Sequence, residues 1–330
     1  MPQAIADKLN SPPLLEIRDL TVTFAPAEAP PVYAVRGISY SLAQGEILGI
    51  VGESGSGKSA GVLAIPALLP PTARVSGSIR FHGAELTGGD PATGRYIREH
   101  LRGKKIGMIF QEPARSYDPL QRVGAAFFEA LRASHPGITR SESDNRAVRL
   151  LGETGITDGQ LRLANFPHQF SGGQLQRIGI ALALAQDCEL LIADEPTTAL
   201  DATIQAQIIA LIKDIRDKRG ISVLFISHNI DAATAISDRI MVMYGGLVME
   251  TGAAGELLTA PRHPYTRALL RAAPQFGVSY RDQRLASIPG KVPDPRYPAE
   301  GCPFKPRCPE QDRCADCVGF IRPSRPGRAP

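Results

Sequence analysis

A glycine-rich segment between residues 52 and 59 has the residue types and the spacing that bind phosphate. It fits the pattern Gly-x-x-x-x-Gly-Lys-Ser/Thr, with the residues Gly52, Glu53, Ser54, Gly55, Ser56, Gly57, Lys58 and Ser59. Glycines let the backbone wrap a phosphate closely, and the bare amides at a helix start attract anions. Lys58 is expected to reach the β- and γ-phosphates of a nucleotide, and Ser59 to bind Mg²⁺.

The alternative for this segment is a glycine-rich turn that contains a lysine by chance. A buried apolar strand is predicted over residues 46–52, and an apolar helix containing Val62 and Leu63 follows the turn. Strand, glycine loop and helix is the order that a phosphate-binding loop requires. We therefore interpret residues 52–59 as the phosphate-binding loop.

Two adjacent carboxylates, Asp194 and Glu195, end a second apolar run at residues 190–193. The first could hold Mg²⁺ indirectly while the second faces an attacking water, a division of labour that phosphoryl transfer needs. Alone, the pair would indicate a solvated strand end or a helix cap. Together with the phosphate-binding loop it predicts a site that hydrolyses a nucleotide.

A second candidate anion site lies at the start of an amphipathic helix. The residues Ser171, Gly172, Gly173 and Gln174 precede apolar positions at helical spacing, so the serine and the bare amides lie at a helix N-terminus. In isolation this segment would indicate an ordinary N-cap.

Four cysteines crowd near the end of the chain, at Cys302, Cys308, Cys314 and Cys317. Four thiolates can hold Zn²⁺ tetrahedrally or a [4Fe–4S] cluster, and unligated thiols remain a third reading. Metal binding would also order a segment whose proline content and few large apolar residues make folding costly. The fifth cysteine, Cys188, is interpreted as a small core residue.

The hydrophobic pattern predicts the strands that position these residues. Residues 14–24 and 32–42 alternate apolar and polar, as in half-buried antiparallel strands. Residues 190–193 and 222–226 are continuously apolar, as in parallel strands buried on both faces.

The chain as a whole divides into three predicted parts. Residues 1–13 are expected to be a flexible N-terminus, and residues 14–260 an α/β core with a helical subdomain at about 115–187. Prolines recur after residue 260, and we name residues 261–330 the C-terminal extension.

Composition excludes several classes. The 330 residues are enough for a sizeable core, and 37 basic against 33 acidic side chains give a net charge of only +4, which argues against a nucleic-acid partner. No apolar run is long enough for a transmembrane helix, and the N-terminus has no secretory signal pattern. We expect a cytoplasmic protein.

The order of these motifs resembles that of ATP-binding-cassette (ABC) ATPases. Gln111, Asp201 in Ala-Leu-Asp and His228 in Ile-Ser-His-Asn occupy the places of the remaining family motifs. The resemblance implies a P-loop NTPase fold, with a RecA-like α/β core, an antiparallel β subdomain and a helical insert. It also implies that ATP and Mg²⁺ are the cofactors and that the chain hydrolyses ATP.

The resemblance implies individual roles as well. Glu195, His228 and Gln111 would be catalytic, with Ser59, Gln111 and Asp194 around Mg²⁺. Residues 171–174 would be the signature that completes the nucleotide site of an opposing subunit, and Asp201 would be the D-loop aspartate. An aromatic residue would stack on adenine, for which Tyr33 is the candidate and Phe24 the alternative.

Three further segments are similar to the peptide and nickel importer ATPases, and most to the dipeptide-type subunit. They are Pro261–Thr266, Ile288-Pro289-Gly290 and Gly301–Cys308. The similarity implies a peptide importer, with a second, distinct ABC ATPase as heterodimer partner, two membrane permease subunits and an extracytoplasmic solute-binding protein. The chain would then sit at the cytoplasmic face of the membrane.

Three other functions remain open on the sequence. The chain could serve an importer for nickel or another small solute, a soluble non-transport ABC ATPase, or a regulatory subunit that binds nucleotide without hydrolysis. The intact Glu195 and His228 argue against the last.

Overall fold

The computed structural model describes residues 12–112, 115–198, 200–273, 287–298 and 300–311. These residues fall into two compact units. The first comprises described residues of Met1–Gly94 and Ile226–Pro330, and the second is Arg95–Phe225. The division into residues 1–13, 14–260 and 261–330 stays a prediction.

The described residues form ten strands and ten α-helices. The strands are β1 (Leu15–Phe24), β2 (Val32–Leu42), β3 (Ile47–Val51), β4 (Ala73–Phe81), β5 (Ala84–Glu85), β6 (Ile106–Ile109), β7 (Leu190–Asp194), β8 (Ser222–Ser227), β9 (Arg239–Tyr244) and β10 (Leu247–Ala253). The helices are α1 (Lys58–Leu63), α2 (Pro91–Tyr96), α3 (Val123–Ser134), α4 (Arg140–Glu153), α5 (Gly159–Arg162), α6 (Gly172–Leu184), α7 (Ala202–Arg219), α8 (Ile230–Ile236), α9 (Ala254–Thr259) and α10 (Pro264–Ala272). None of these helices combines the length and the apolar character needed to cross a membrane.

The first unit contains an antiparallel sheet in the order β2-β1-β4-β5. The predicted pairing of residues 14–24 with 32–42 is confirmed, since Leu15 lies opposite Leu42 and Phe24 opposite Val32. Alternation along β1 buries Leu15 and Ile17 on one face.

A bulge interrupts the pairing of β1 with β4 between Arg18 and Thr21. Gly77 lies opposite this bulge with φ of 93°, and a Cβ atom on it would lie 2.4 Å from the carbonyl oxygen of Asp19. The bulge therefore requires glycine at this position, both for conformation and for space.

The first unit also contains the strand series β10-β9-β3. Strand β3 runs parallel to β9, and β9 is antiparallel to β10. Every residue of β3 is buried, as its continuous apolar sequence predicts. The phosphate-binding loop follows β3 directly and ends where α1 begins.

In the second unit the strands lie in the order β8-β7-β6, and β6 is parallel to β7. Both β7 and β8 are fully buried, which confirms their prediction. Helix α4 packs against α3, α5 and α6, around the buried side chains of Phe127, Leu151 and Ile178. The antiparallel sheet, the buried parallel strands and the helical region that the sequence predicts are thus all observed.

Replacing Gly77 with alanine tests the bulge. Gly77→Ala is expected to lower the free energy of unfolding by more than the roughly 1–2 kcal/mol that a left-handed alanine costs, because the added Cβ also meets the Asp19 carbonyl. Urea titration compares it with Gly83→Ala, whose φ is 76° but whose Cβ would meet open space. Equal losses in the two variants would contradict the steric account.

Candidate functional site

The phosphate-binding loop crosses closely over neighbouring backbone. Gly57, which precedes α1, has φ of 96°, and a Cβ atom there would lie 2.2 Å from the carbonyl oxygen of Ala34 in β2. The backbone N–H of Gly246 donates to the carbonyl oxygen of Ser56 at 3.1 Å. Ser54 and Gly55, at the tip of the loop, are exposed. The loop thus rests on two other parts of the first unit while its tip faces solvent.

Lys58 lies on the inner side of this loop and is buried. Its Nζ donates to the carbonyl oxygens of Gly52 at 2.8 Å and Glu53 at 3.0 Å, and lies 3.4 Å from the Ser56 Oγ. Ser59 follows on the first turn of α1 and is half-buried. The ammonium group is therefore held inside the loop where the motif predicts phosphate to bind.

The acidic pair and the predicted glutamine lie in the second unit. Asp194 is the last residue of β7 and is buried. Glu195 follows with φ of 47°, a left-handed conformation that is uncommon outside glycine. Its Oε2 accepts hydrogen bonds from Gln111 Nε2 at 3.0 Å and from Thr198 Oγ1 at 2.9 Å. The structure thus brings Gln111 and Glu195 together.

Sequence reasoning missed Thr198. Its only signal is its place three residues after Glu195, a spacing at which a hydroxyl can return to the carboxylate across one turn. The two donors on one oxygen fix the direction of the Glu195 carboxylate.

The predicted signature forms the start of α6. Ser171 is its N-cap: the Ser171 Oγ accepts from Gln174 N at 3.3 Å, and the Gln174 Oε1 accepts from Ser171 N at 3.0 Å. Ser171 and Gly172 are exposed. Asp201 caps α7 by accepting from Ile204 N at 3.0 Å. Ala199, in the same motif as Asp201, lies outside the described residues.

His228 and the aromatic candidates belong to the first unit. His228 is exposed directly after β8. Tyr33, 37% exposed, lies in β2 opposite Thr23, and Phe24 is the next residue of β1. The two aromatic candidates therefore share one end of the β1 and β2 pair, with Tyr33 the more exposed.

Two of the four clustered cysteines, Cys302 and Cys308, lie among the described residues, and both are buried. Cys314 and Cys317 lie outside them. Burial raises the pKa of the Cys302 thiol, and the neighbouring Cys308 raises it further. Cys302 Sγ is 3.9 Å from His263 Nε2. Neither described cysteine forms a disulfide.

Within the part of the chain that the structure describes, no group of three or more His, Cys, Asp or Glu side chains could hold a metal ion. The prediction for Cys188 fits its environment, because it is 3% exposed and burial raises its pKa to about 11. A thiol so buried stays protonated and packs as an apolar side chain.

Two known families match this chain in separate segments. The family described as "ABC transporter" matches residues 35–198, and "Oligopeptide/dipeptide transporter, C-terminal region" matches residues 249–314. The dipeptide transport ATP-binding protein DppD of Escherichia coli K12 is 46% identical over 303 residues, which cover 91% of this chain and 90% of that protein. The chain belongs to the ABC transporter ATP-binding family. Its resemblance to the peptide importer branch is confirmed as well.

Another relative is about twice as long as the segment that this chain matches. The oligopeptide transport ATP-binding protein OppD of Mycobacterium tuberculosis is 46% identical over 298 residues, which cover 90% of this chain. The chain spans about half of that relative, since the match covers 48% of it.

Solved structures show the same cassette fold. A dimeric, post-hydrolysis structure of the ATP-binding cassette MJ0796 with ADP and Pi has a TM-score of 0.64 and 28% identity, and covers 73% of this chain and 98% of its own. The cbiO1 structure from Clostridium perfringens has a TM-score of 0.62 and 26% identity, and covers 76% and 92%. The predicted fold class is therefore confirmed.

Proposed function

We propose that this chain is the ATP-hydrolysing subunit of an ABC importer that takes up di- or oligopeptides through separate membrane permease subunits. The observation that carries the proposal is the Glu195 carboxylate, fixed by Gln111 and Thr198 at the end of a buried strand. The match of residues 249–314 to the oligopeptide and dipeptide transporter region supports the peptide substrate, and so do the names of the relatives.

ATP·Mg²⁺ is the substrate in this proposal. The loop amides and Lys58 bind the phosphates, and His228 contacts the γ-phosphate. Ser59, Gln111 and Asp194 would supply hydroxyl, amide and carboxylate oxygens, the type of ligand that Mg²⁺ prefers. The Gln111 nitrogen already donates to Glu195, which leaves its amide oxygen as the metal-binding atom.

Hydrolysis depends on Glu195. A carboxylate whose direction is set by two donors can orient an attacking water and accept its proton. Tyr33 stacks on the adenine ring in our proposal, with Phe24 as the alternative, because Tyr33 offers more exposed ring surface at the same end of the sheet.

Pairing with a second cassette completes the site. Ser171 and Gly172 are exposed at the N-terminus of α6, where the helix dipole favours an anion, and Asp201 is the N-cap of helix α7. We assign this surface to the ATP held by a partner subunit. The partner is a second, distinct ABC ATPase, and the assembly lies at the cytoplasmic face of the membrane with two permeases and an extracytoplasmic solute-binding protein.

The cysteine cluster is proposed to ligate a [4Fe–4S] group, with Zn²⁺ as the alternative, through Cys302, Cys308, Cys314 and Cys317. The two described thiols fit this role because they are buried near each other without a disulfide.

Glu195→Gln tests the chemistry. It keeps the side-chain shape but removes the base, so ATP turnover is expected to fall roughly 10²–10⁴-fold with ATP still bound. Turnover in the assembled transporter and nucleotide affinity of the chain are measured. Glu189→Gln, which removes the charge from a partly exposed ion pair with Lys105, is the control. Near-normal turnover in Glu195→Gln would exclude the assigned base.

Two capping boxes in the second unit test the signature. Ser171→Ala and Thr139→Ala each remove an N-cap of similar geometry, so both are expected to cost about 1 kcal/mol of stability. Only Ser171→Ala is expected to reduce ATP hydrolysis by the assembled transporter, because only Ser171 would contact the partner's ATP. Similar activity in both variants would argue that Ser171 is a cap alone.

Metal content tests the cysteines. Anaerobically purified protein is expected to carry about four iron atoms per chain, and Cys308→Ser to lose them. Cys188→Ala, at a buried cysteine outside the cluster, serves as the control and retains the iron. Stoichiometric zinc would select the alternative, and neither metal would reject the cluster.

A further inference from the structure

An arginine of the C-terminal extension contacts the phosphate-binding loop. Arg307 Nη1 lies 2.7 Å from Glu53 Oε2, and its Nη2 lies 3.2 Å from Glu53 Oε1. Glu53 is the first variable residue of the loop, directly after Gly52. A guanidinium that spans both carboxylate oxygens fixes the direction of the carboxylate as well as its position.

All five N–H donors of Arg307 are used. Beyond the two bonds to Glu53, its Nε donates to the Pro289 carbonyl oxygen at 2.8 Å, its Nη2 to the Ile288 carbonyl oxygen at 2.9 Å, and its Nη1 to the Tyr244 hydroxyl at 2.9 Å. The side chain is 4% exposed. An arginine in this cage cannot be exchanged for lysine without loss of bonds, because lysine has three donors and no planar fork.

The contacts of Arg307 explain two sequence segments that the proposed function leaves unassigned, residues 288–290 and residues 301–308. Gly290 has φ of 82°, and a Cβ atom on it would lie 3.1 Å from Arg307 Cγ. The turn Ile288-Pro289-Gly290 therefore wraps the arginine with two carbonyl oxygens and no side chain in the way. Residues 288–290 thus hold Arg307, and Arg307 in turn contacts Glu53.

A second contact holds the backbone of the same residue. The Glu53 N–H donates to the Tyr265 hydroxyl at 2.9 Å, and Tyr265 is fully buried in the extension. Its ring packs against Tyr244 and Phe304, with centroids 4.6 and 5.2 Å away. Glu53 is thus held at its side chain and at its amide by groups that have little freedom to move.

The contacts continue from Glu53 to Lys58. The carbonyl oxygen of Glu53 accepts a hydrogen bond from Lys58 Nζ at 3.0 Å. The peptide of Glu53 therefore stands between the extension and the ammonium group expected to bind the β- and γ-phosphates. Movement of Arg307 would change the position of Glu53 and, through its carbonyl group, that of Lys58.

We propose that Arg307 is a positioning residue for nucleotide binding, which acts through Glu53 to hold the phosphate-binding loop and Lys58 in their binding geometry. The inference rests on the proposed function, because it requires that this loop bind ATP·Mg²⁺. The competing account is a buried ion pair that only anchors the extension. Such an anchor would change stability and leave nucleotide affinity unaltered.

The test measures ATP·Mg²⁺ affinity of the full-length chain by titration, at a temperature well below unfolding of every variant. Arg307→Gln is expected to bind about tenfold more weakly, within the usual range of coupling between two sites, and Arg307→Lys is also expected to bind more weakly than the unaltered chain. Arg307→Lys is expected to lose less, because it keeps the charge. Arg267→Gln, at a partly exposed arginine of the same extension that pairs with Glu310, should bind as the unaltered chain does.

A double-substitution cycle separates positioning from anchoring. Glu53→Gln alone is expected to weaken binding by a similar factor, and the Glu53→Gln, Arg307→Gln pair by less than the product of the two single effects, because both disrupt the same contact. Full multiplication of the two factors would show that the residues act separately and would overturn the proposal.

Failure of the inference and failure of the proposed function give different results. The inference is wrong, and Arg307 is only an anchor, under three joint results. The unaltered chain binds ATP·Mg²⁺, Lys58→Ala abolishes binding, and both Arg307 variants bind normally despite a lower melting temperature. If the unaltered chain does not bind ATP·Mg²⁺, the proposed function fails and the inference falls with it. If Arg307→Gln does not fold, Arg307→Lys and Glu53→Gln decide the question.

Discussion

The phosphate-binding loop has few side chains that can support its conformation, and neighbouring parts of the first unit contact it at several points. A loop that must enclose phosphate needs bare backbone and small residues, so it has few side chains with which to pack. Its shape must come from its neighbours. Here β2 lies against Gly57, the turn between β9 and β10 binds the carbonyl group of Ser56, and the C-terminal extension holds Glu53 at two points.

Two charged groups of the loop, Lys58 and Glu53, are also held by specific partners. Lys58 is buried and donates to two carbonyl oxygens of its own loop, which compensate part of the hydration that is lost on burial. The nearby carboxylate of Glu53 is paired with Arg307. The Glu53 charge is therefore paired within the first unit, in the loop that we propose binds phosphate.

Much of this arrangement follows from sequence, for a physical reason. Strands β3, β7 and β8 are buried on both faces, so continuous apolar runs reveal them. The phosphate-binding loop, the Asp194–Glu195 pair and His228 lie where these three strands end. The ion pair between Glu53 and Arg307 joins residues 254 positions apart. A single arginine in a proline-rich segment carries no periodic signal, and neither does Thr198, whose partner depends on the unusual backbone conformation of Glu195.

The aromatic core of the extension changes what orders that segment. We expected from composition that a proline-rich segment with few large apolar residues would need metal to fold. Tyr265 and Phe304 are nevertheless almost fully buried, together with Tyr244 of the cassette, and aromatic side chains bury large areas at a small cost in side-chain entropy. Residues 302–308 therefore have an anchor that does not depend on a metal. A group bound by Cys302 and Cys308 would adjoin the segment that holds Glu53, since Arg307 and Cys308 are consecutive, so the aromatic packing and such a group would support the same contact to the phosphate-binding loop.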